Sequence, residues 1–320
     1  MIESPNDLKF RLTKASENLF VIRDDLLPWG IGTKWRKFFG IYESLRDTNH
    51  FDSTRRQVVL WGNLHSNYLA AFTYLFHQKK FSTVVFAYTK DPNRITYNQT
   101  LIKYNAKKLF LFFSRSEAET AAWEWKKTNP EAIFLPEFGV HRGVSNGLGS
   151  LWKALEESIQ KHLGGKVKQN QTPEILLEIG SGQTYLSCFD YFYPKGIPVV
   201  GISLGESRSS WLSKREAVQK DLGLKTRSIP EEWILEPKDP KERRFGLHSN
   251  RRLAEIQQFL RETGIYLEPM YGGKILPFLL EHSKTNPTYY LHQGGGYQHL
   301  DVLLENRNLI SEVFKAEVIY

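Results

Sequence analysis

Short runs of apolar, β-branched or aromatic residues recur along the chain, and segments with helical spacing separate most of them. The runs at 19–22, 58–61, 83–88, 109–113, 132–135, 175–179, 199–204 and 289–292 read as strands. The segments 68–77, 94–105, 117–127, 148–163, 211–222, 253–263 and 275–282 carry apolar residues at helical intervals. Short strands alternating with helices of this length predict an α/β architecture with largely parallel sheets. No fixed-period repeat appears, which argues against solenoids and propellers. A polar, basic stretch at 164–173 separates two such blocks and reads either as a domain linker or as a long surface loop.

Composition narrows the class. The 320 residues include 41% hydrophobic and 24% charged side chains, an ordinary balance for a globular protein. No apolar run approaches the length of a membrane span, and the polar N-terminus lacks the apolar core of a secretory signal. A single cysteine, Cys188, excludes an internal disulfide and a cysteine-built metal site. Together these predict a cytoplasmic protein without a membrane partner. The net charge of +8 is carried by dispersed pairs such as Arg55-Arg56 and Lys107-Lys108 rather than by a run. A nucleic-acid partner is therefore not expected, although a basic surface still attracts anionic ligands.

Five segments carry candidate chemistry. Gly180-Ser181-Gly182-Gln183-Thr184 follows an apolar strand and opens a helix, where free amides and the helix dipole favour a phosphate. It is neither a Walker A motif nor a full dinucleotide fingerprint, and a ligand-free tight turn is an equal reading. Lys34, in Gly32-Thr33-Lys34-Trp35-Arg36-Lys37, is a candidate Schiff-base lysine; the alternative is an exposed basic helix start. Ser66 and Asn67 end a strand where α/β proteins place ligand contacts, and either residue also suits a helix N-cap. Tyr271 precedes Gly272-Gly273 and is a candidate acid/base, against the alternative that it simply packs. The run Gly294-Gly295-Gly296 marks a close backbone approach, as to a cofactor ring.

In order and spacing these segments resemble the D-cysteine desulfhydrase / 1-aminocyclopropane-1-carboxylate (ACC) deaminase family of enzymes that use pyridoxal 5′-phosphate (PLP). Gly32 to Lys37 resembles the family's lysine segment, and Gly62 to Tyr68 its Gly-Gly-x-Gln-Ser-Asn-His segment. Pro136-Glu137, followed after an insertion by Gly143-Val144-Ser145-Asn146, resembles Pro-Glu-Gly-Gly-Ser-Asn. Glu268 to Lys274 resembles Asp-Pro-Val-Tyr-x-Gly-Lys, and His292 to Gly295 resembles His-Thr-Gly-Gly. The resemblance implies a two-domain fold of type II, similar to the β subunit of tryptophan synthase. Residues 1–37 and 147–320 would form the large PLP-binding domain, and residues 38–146 the small one.

The resemblance further implies that Lys34, Ser66 and Tyr271 are catalytic. Asn67 would bond the phenolic oxygen of PLP, and Gly180, Ser181, Gly182, Gln183 and Thr184 would hold its phosphate. The implied reaction is deamination or elimination on a small amino acid, giving a 2-oxo acid and ammonia, in a homodimer. Two departures stand out. Gly272 replaces a Glu or Thr that reaches the pyridine nitrogen, a contact left to Gln293 or a water. Phe245 replaces a second tyrosine. A PLP or phosphometabolite binder without catalysis is the competing reading.

Overall fold

The computed structural model describes residues 4–46, 56–166, 172–245, 249–295 and 301. In chain order its strands are β1 (Leu12–Lys14), β2 (Leu19–Arg23), β3 (Gln57–Asn63), β4 (Ser82–Tyr88), β5 (Lys108–Phe112), β6 (Ile133–Leu135), β7 (Glu174–Ile179), β8 (Val199–Ser203), β9 (Ile234–Leu235) and β10 (Thr288–His292). Its helices are α1 (Lys34–Arg46), α2 (Asn67–Gln78), α3 (Tyr97–Asn105), α4 (Arg115–Thr128), α5 (Gly143–Lys166), α6 (Gln183–Phe192), α7 (Arg208–Asp221), α8 (Pro240–Arg243), α9 (Asn250–Thr263) and α10 (Gly272–His282). Contacts divide the chain into two units, Met1–Thr33 with Leu148–Tyr320, and Lys34–Gly147. The basic stretch at 164–173 is not the linker between them, because both of its flanks belong to the first unit. Helix α5 runs into it as far as Lys166, and residues 167–171 lie outside the described residues.

The first unit is built on a six-stranded sheet in the order β1-β2-β10-β7-β8-β9. Only the β1–β2 pair is antiparallel. Strands β7, β8 and β10 are buried at every residue, the mark of a parallel sheet covered on both faces. Leu176, Ile202 and Tyr290 pack with Phe259 of α9 and Ile275 and Leu279 of α10. Helix α10 contains Pro277, which removes one backbone donor, and the helix continues to His282. Cys188 lies on α6, fully buried.

At the amino end of this sheet the His282 Nδ1 meets the Glu174 carboxylate at 2.9 Å, and the Thr288 hydroxyl donates to the same oxygen. The hydrogen bond to Glu174 raises the His282 pKa above its ordinary 6.5, against the opposing effect of burial. A raised pKa means that the ion pair contributes fully below about pH 6.5 and is lost as pH rises through the folded value. His282→Gln is therefore expected to lower the melting temperature at pH 6 and to have little effect at pH 9. The partly exposed pair contributes about 1 kcal/mol or less, and thermal melts of both proteins across pH check the sign.

The second unit carries a four-stranded parallel sheet in the order β5-β4-β3-β6. Val59 and Trp61 of β3 and Val84 and Phe86 of β4 pack against Ala122 of α4. On the other face Phe38 of α1 meets Phe72 and Phe76 of α2 in edge-on ring contacts. Helix α1 also crosses the start of α5 at glycines: a Cβ on Gly40 would fall 2.1 Å from the Gly143 carbonyl oxygen, and one on Gly147 2.0 Å from the Arg36 carbonyl oxygen. Residues 143–147 thus have a packing role, since only bare backbone permits this approach. Among the described residues no helix is long and apolar enough to cross a membrane.

Candidate active site

The carboxyl ends of parallel strands are where α/β proteins gather ligand contacts, because loops and helix N-termini converge there. In the first unit the turn from β7 into α6 holds Gly180, Ser181 and Gly182, with Gly182 as N-cap at φ +84°. The N-cap is a glycine and offers no side-chain oxygen to the first turn of α6. A Cβ on Gly180 would meet only the Tyr271 ring, at 3.8 Å. Gly182 is different: a Cβ there would strike the Trp211 indole nitrogen at 2.7 Å, so this glycine is required by packing as well as by its φ.

Gln293 joins this turn to the lysine segment. Its side-chain oxygen accepts the Thr184 hydroxyl at 2.6 Å, and its amide donates to the Glu178 carbonyl at 3.2 Å. Its own carbonyl accepts the Thr33 amide at 3.1 Å and the Thr33 hydroxyl at 3.3 Å. Gly32, at φ +66°, lies against the same peptide, and a Cβ on it would fall 1.9 Å from the Gln293 oxygen. One residue therefore fixes both the glycine turn and the backbone immediately before Lys34. Lys34 itself begins α1 and is half-buried.

Tyr271 stands at the N-terminus of α10, half-buried, with the Phe245 ring 5.0 Å from its own. Its hydroxyl hydrogen-bonds to no other described residue. Burial pushes its phenol well above the ordinary tyrosine range, and the Glu268 and Glu178 carboxylates add to the effect. Glu268 holds the turn by accepting the amides of Met270 at 2.6 Å and Gly272 at 2.8 Å. A Cβ on Gly272 would come within 2.9 Å of the Tyr290 hydroxyl, so a tyrosine from β10 fills the space next to the missing side chain. Phe245 is similarly built in, over Gly205, where a Cβ would overlap its ring. Gly246 and Gly296 lie outside the described residues.

In the second unit Ser66 caps α2, its hydroxyl oxygen accepting the Leu69 amide at 3.1 Å. Asn67 follows, and its side-chain oxygen accepts the Asn98 amide at 3.0 Å while Asn98 also donates to the His65 carbonyl at 2.8 Å. This fixes the Asn67 carboxamide so that its NH2 is the end left for a ligand. The His65 ring bridges the hydroxyls of Thr96 at 2.9 Å and Thr89 at 3.1 Å. Burial and the nearby Arg94 hold its pKa below the ordinary histidine value, so it is neutral near pH 7. Asn98 and Thr89 carry no motif in the sequence; only the fold brings them to this turn. Ser66→Ala is expected to destabilise the protein by about 1 kcal/mol through loss of the cap, measurable by denaturant titration.

The two units, their strand orders and this placement of the glycine turn define an α/β chain with the fold of type II PLP enzymes, as the sequence resemblance implied. A solved structure of an ACC deaminase homologue is similar over 90% of this chain and 88% of its own, at TM-score 0.66 and 20% identity. O-acetyl serine sulfhydrylase isoform 3 from Entamoeba histolytica covers 96% of this chain and 92% of its own, at TM-score 0.65 and 13% identity. The processed form of threonine deaminase isoform 2 from Solanum lycopersicum covers 95% and 85%, at TM-score 0.59 and 10% identity. No protein-family model matches the sequence, and no curated protein matches it by sequence. The structural likeness establishes the fold.

In the first unit the α6 amide end and the open space before Gly180 have the chemistry to hold a phosphate. In the second unit the Asn67 NH2 has the chemistry to donate to a ring oxygen, and Lys34 carries an amine.

Proposed function

We propose that the protein binds PLP through Lys34 and acts as a deaminase or lyase on a small amino acid, releasing a 2-oxo acid and ammonia. The observation that carries this reading is Gln293, which ties Thr184 of the glycine turn to Thr33, the neighbour of Lys34. A chance helix start and a chance glycine turn, 146 residues apart or more in sequence, have no reason to share one anchoring residue.

When bound, PLP supplies an electron-withdrawing ring that acidifies the substrate's α-carbon. The protein's part is to place groups around it. The first-turn amides of α6, that of Thr184 among them, and the Ser181 hydroxyl would hold the phosphate. The Asn67 NH2, aimed by Asn98, would donate to the ring oxygen. Lys34 would supply the amine that holds the cofactor and would take the proton from the substrate's α-carbon. Tyr271, kept protonated by burial and two carboxylates, gives a proton to the departing group. Ser66 and the α2 amides seat the substrate carboxylate.

The test is spectroscopic and chemical. The purified protein is expected to be yellow with added PLP, to lose the band on borohydride treatment, and to retain the label on the peptide containing Lys34. A colourless protein that takes up no label would end this reading. A labelled protein that releases no 2-oxo acid from D- or L-cysteine, D-serine or ACC would favour the non-catalytic binder.

A further inference from the structure

One polar line in the second unit has no part in the scheme above. The Glu137 carboxylate, which follows β6, is 5% exposed. It accepts the hydroxyl of Tyr88, the last residue of β4, at 2.7 Å and the Arg115 Nε, which follows β5, also at 2.7 Å. Arg115, which follows the edge strand β5, and Glu137, which follows β6 at the other edge, therefore meet over the carboxyl ends of β4 and β3. The Trp61 ring of β3 lies beneath its guanidinium at 5.8 Å, and the Trp61 indole N–H is buried without a hydrogen-bond partner. Despite this anchoring the Arg115 side chain is 61% exposed. Among the described residues its two terminal nitrogens make no hydrogen bond. A buried carboxylate, a tyrosine and an indole hold the root of this guanidinium while its fork stays open, the arrangement for receiving an oxyanion in bidentate fashion.

The carboxylate that holds this fork belongs to the same edge as the Ser66 turn. Glu137 Cγ lies 3.6 Å from where a Cβ on Gly62 would be, and the Tyr68 hydroxyl donates to the Pro136 carbonyl at 3.1 Å. That edge thus offers two anion seats, the α2 N-terminus and Arg115. We infer that Arg115 is a specificity-determining residue that takes a second acidic group, carboxylate or phosphate, on the amino-acid substrate. This rests on the reading of the protein as an amino-acid enzyme and narrows it to substrates with an acidic side chain.

The deciding experiment is calorimetric titration of the full chain with aspartate and O-phosphoserine against their neutral counterparts asparagine and serine, in both enantiomers. Wild type is expected to bind an acidic member about tenfold or more tightly than its neutral counterpart, the size of a charge-assisted hydrogen bond. Arg115→Gln is expected to erase that preference and leave neutral binding unchanged. Preference for aspartate assigns the site to carboxylate, and preference for O-phosphoserine assigns it to phosphate. Equal binding of acidic and neutral ligands, no binding of any, or a preference that survives in Arg115→Gln would overturn the inference. So would a variant that weakens all ligands alike together with its melting temperature, the behaviour of a purely structural ion pair. Should the variant not fold, the wild-type preference and its decline with added salt decide the matter. Absence of the PLP band with the acidic preference intact would remove the cofactor reading and leave Arg115 standing.

Discussion

Lys34→Ala is expected to lose covalently held PLP entirely and to lower turnover by roughly 10⁴-fold or more, because in the proposed function the same amine would both anchor the cofactor and move the substrate's α-proton. The variant is expected to remain folded. Lys34 is half-buried at the first position of α1, and the packing of that helix rests on Phe38, Gly40 and their neighbours. Other lysines supply the control. Lys274 is buried, and its ammonium donates to the carbonyls of Glu242 at 2.9 Å and Arg244 at 2.8 Å, which commits it to holding the chain. Lys37 lies one helical turn beyond Lys34 and is the informative competitor. Borohydride label on Lys37 or Lys274, or full label in Lys34→Ala, would show that the motif had been aligned wrongly.

Tyr271→Phe carries the second large effect. Loss of a proton-transfer group typically costs about a hundred- to ten-thousand-fold in rate, and the phenylalanine keeps the ring contact with Phe245. The cofactor band is expected to survive, so that kcat falls while PLP affinity and melting temperature hold. The environment also fixes the pH behaviour. A phenol whose pKa is raised stays protonated to higher pH, so the rate is expected to show no limb from Tyr271 below its ordinary value of 10. Unchanged kcat in the variant would return Tyr271 to a packing role, and a lost cofactor band would make it a binding residue. Steady-state kinetics and absorbance on the same preparation separate the three cases.

The elements that could be read in the sequence were those whose signal is local. Continuous apolar runs such as 175–179 and 199–204 became fully buried strands, because a parallel sheet covered on both faces demands no alternation. Helix α3 starts at Tyr97 rather than at 94, since Thr96 accepts the Gln99 amide and ends the preceding loop. Strand β9 has two residues and β1 three, too short for any periodicity to mark them. Strand order was not legible at all: β10, last in the chain, enters between β2 and β7. The candidate site divides in the same way. Glycine turns and the residues after strands are visible as motifs, whereas Asn98, Gln293 and the Glu137–Tyr88–Arg115 line act through partners tens to hundreds of residues away. Gln293, which with a water is the sequence's candidate for the pyridine nitrogen, has its side-chain amide on Glu178 and Thr184 and its backbone carbonyl on Thr33.

Cys188 has a practical meaning for anyone handling the molecule. It is the chain's single thiol, fully enclosed within α6, and burial drives its pKa well above the ordinary thiol range. Alkylating reagents attack the thiolate, and the folded protein presents almost none. Modification at this position therefore proceeds only through molecules that have opened around α6, the helix that begins at the glycine turn. The rate of alkylation becomes a clock for that opening, and a ligand seated at the α6 N-terminus would slow it without any change in the chemistry of the thiol.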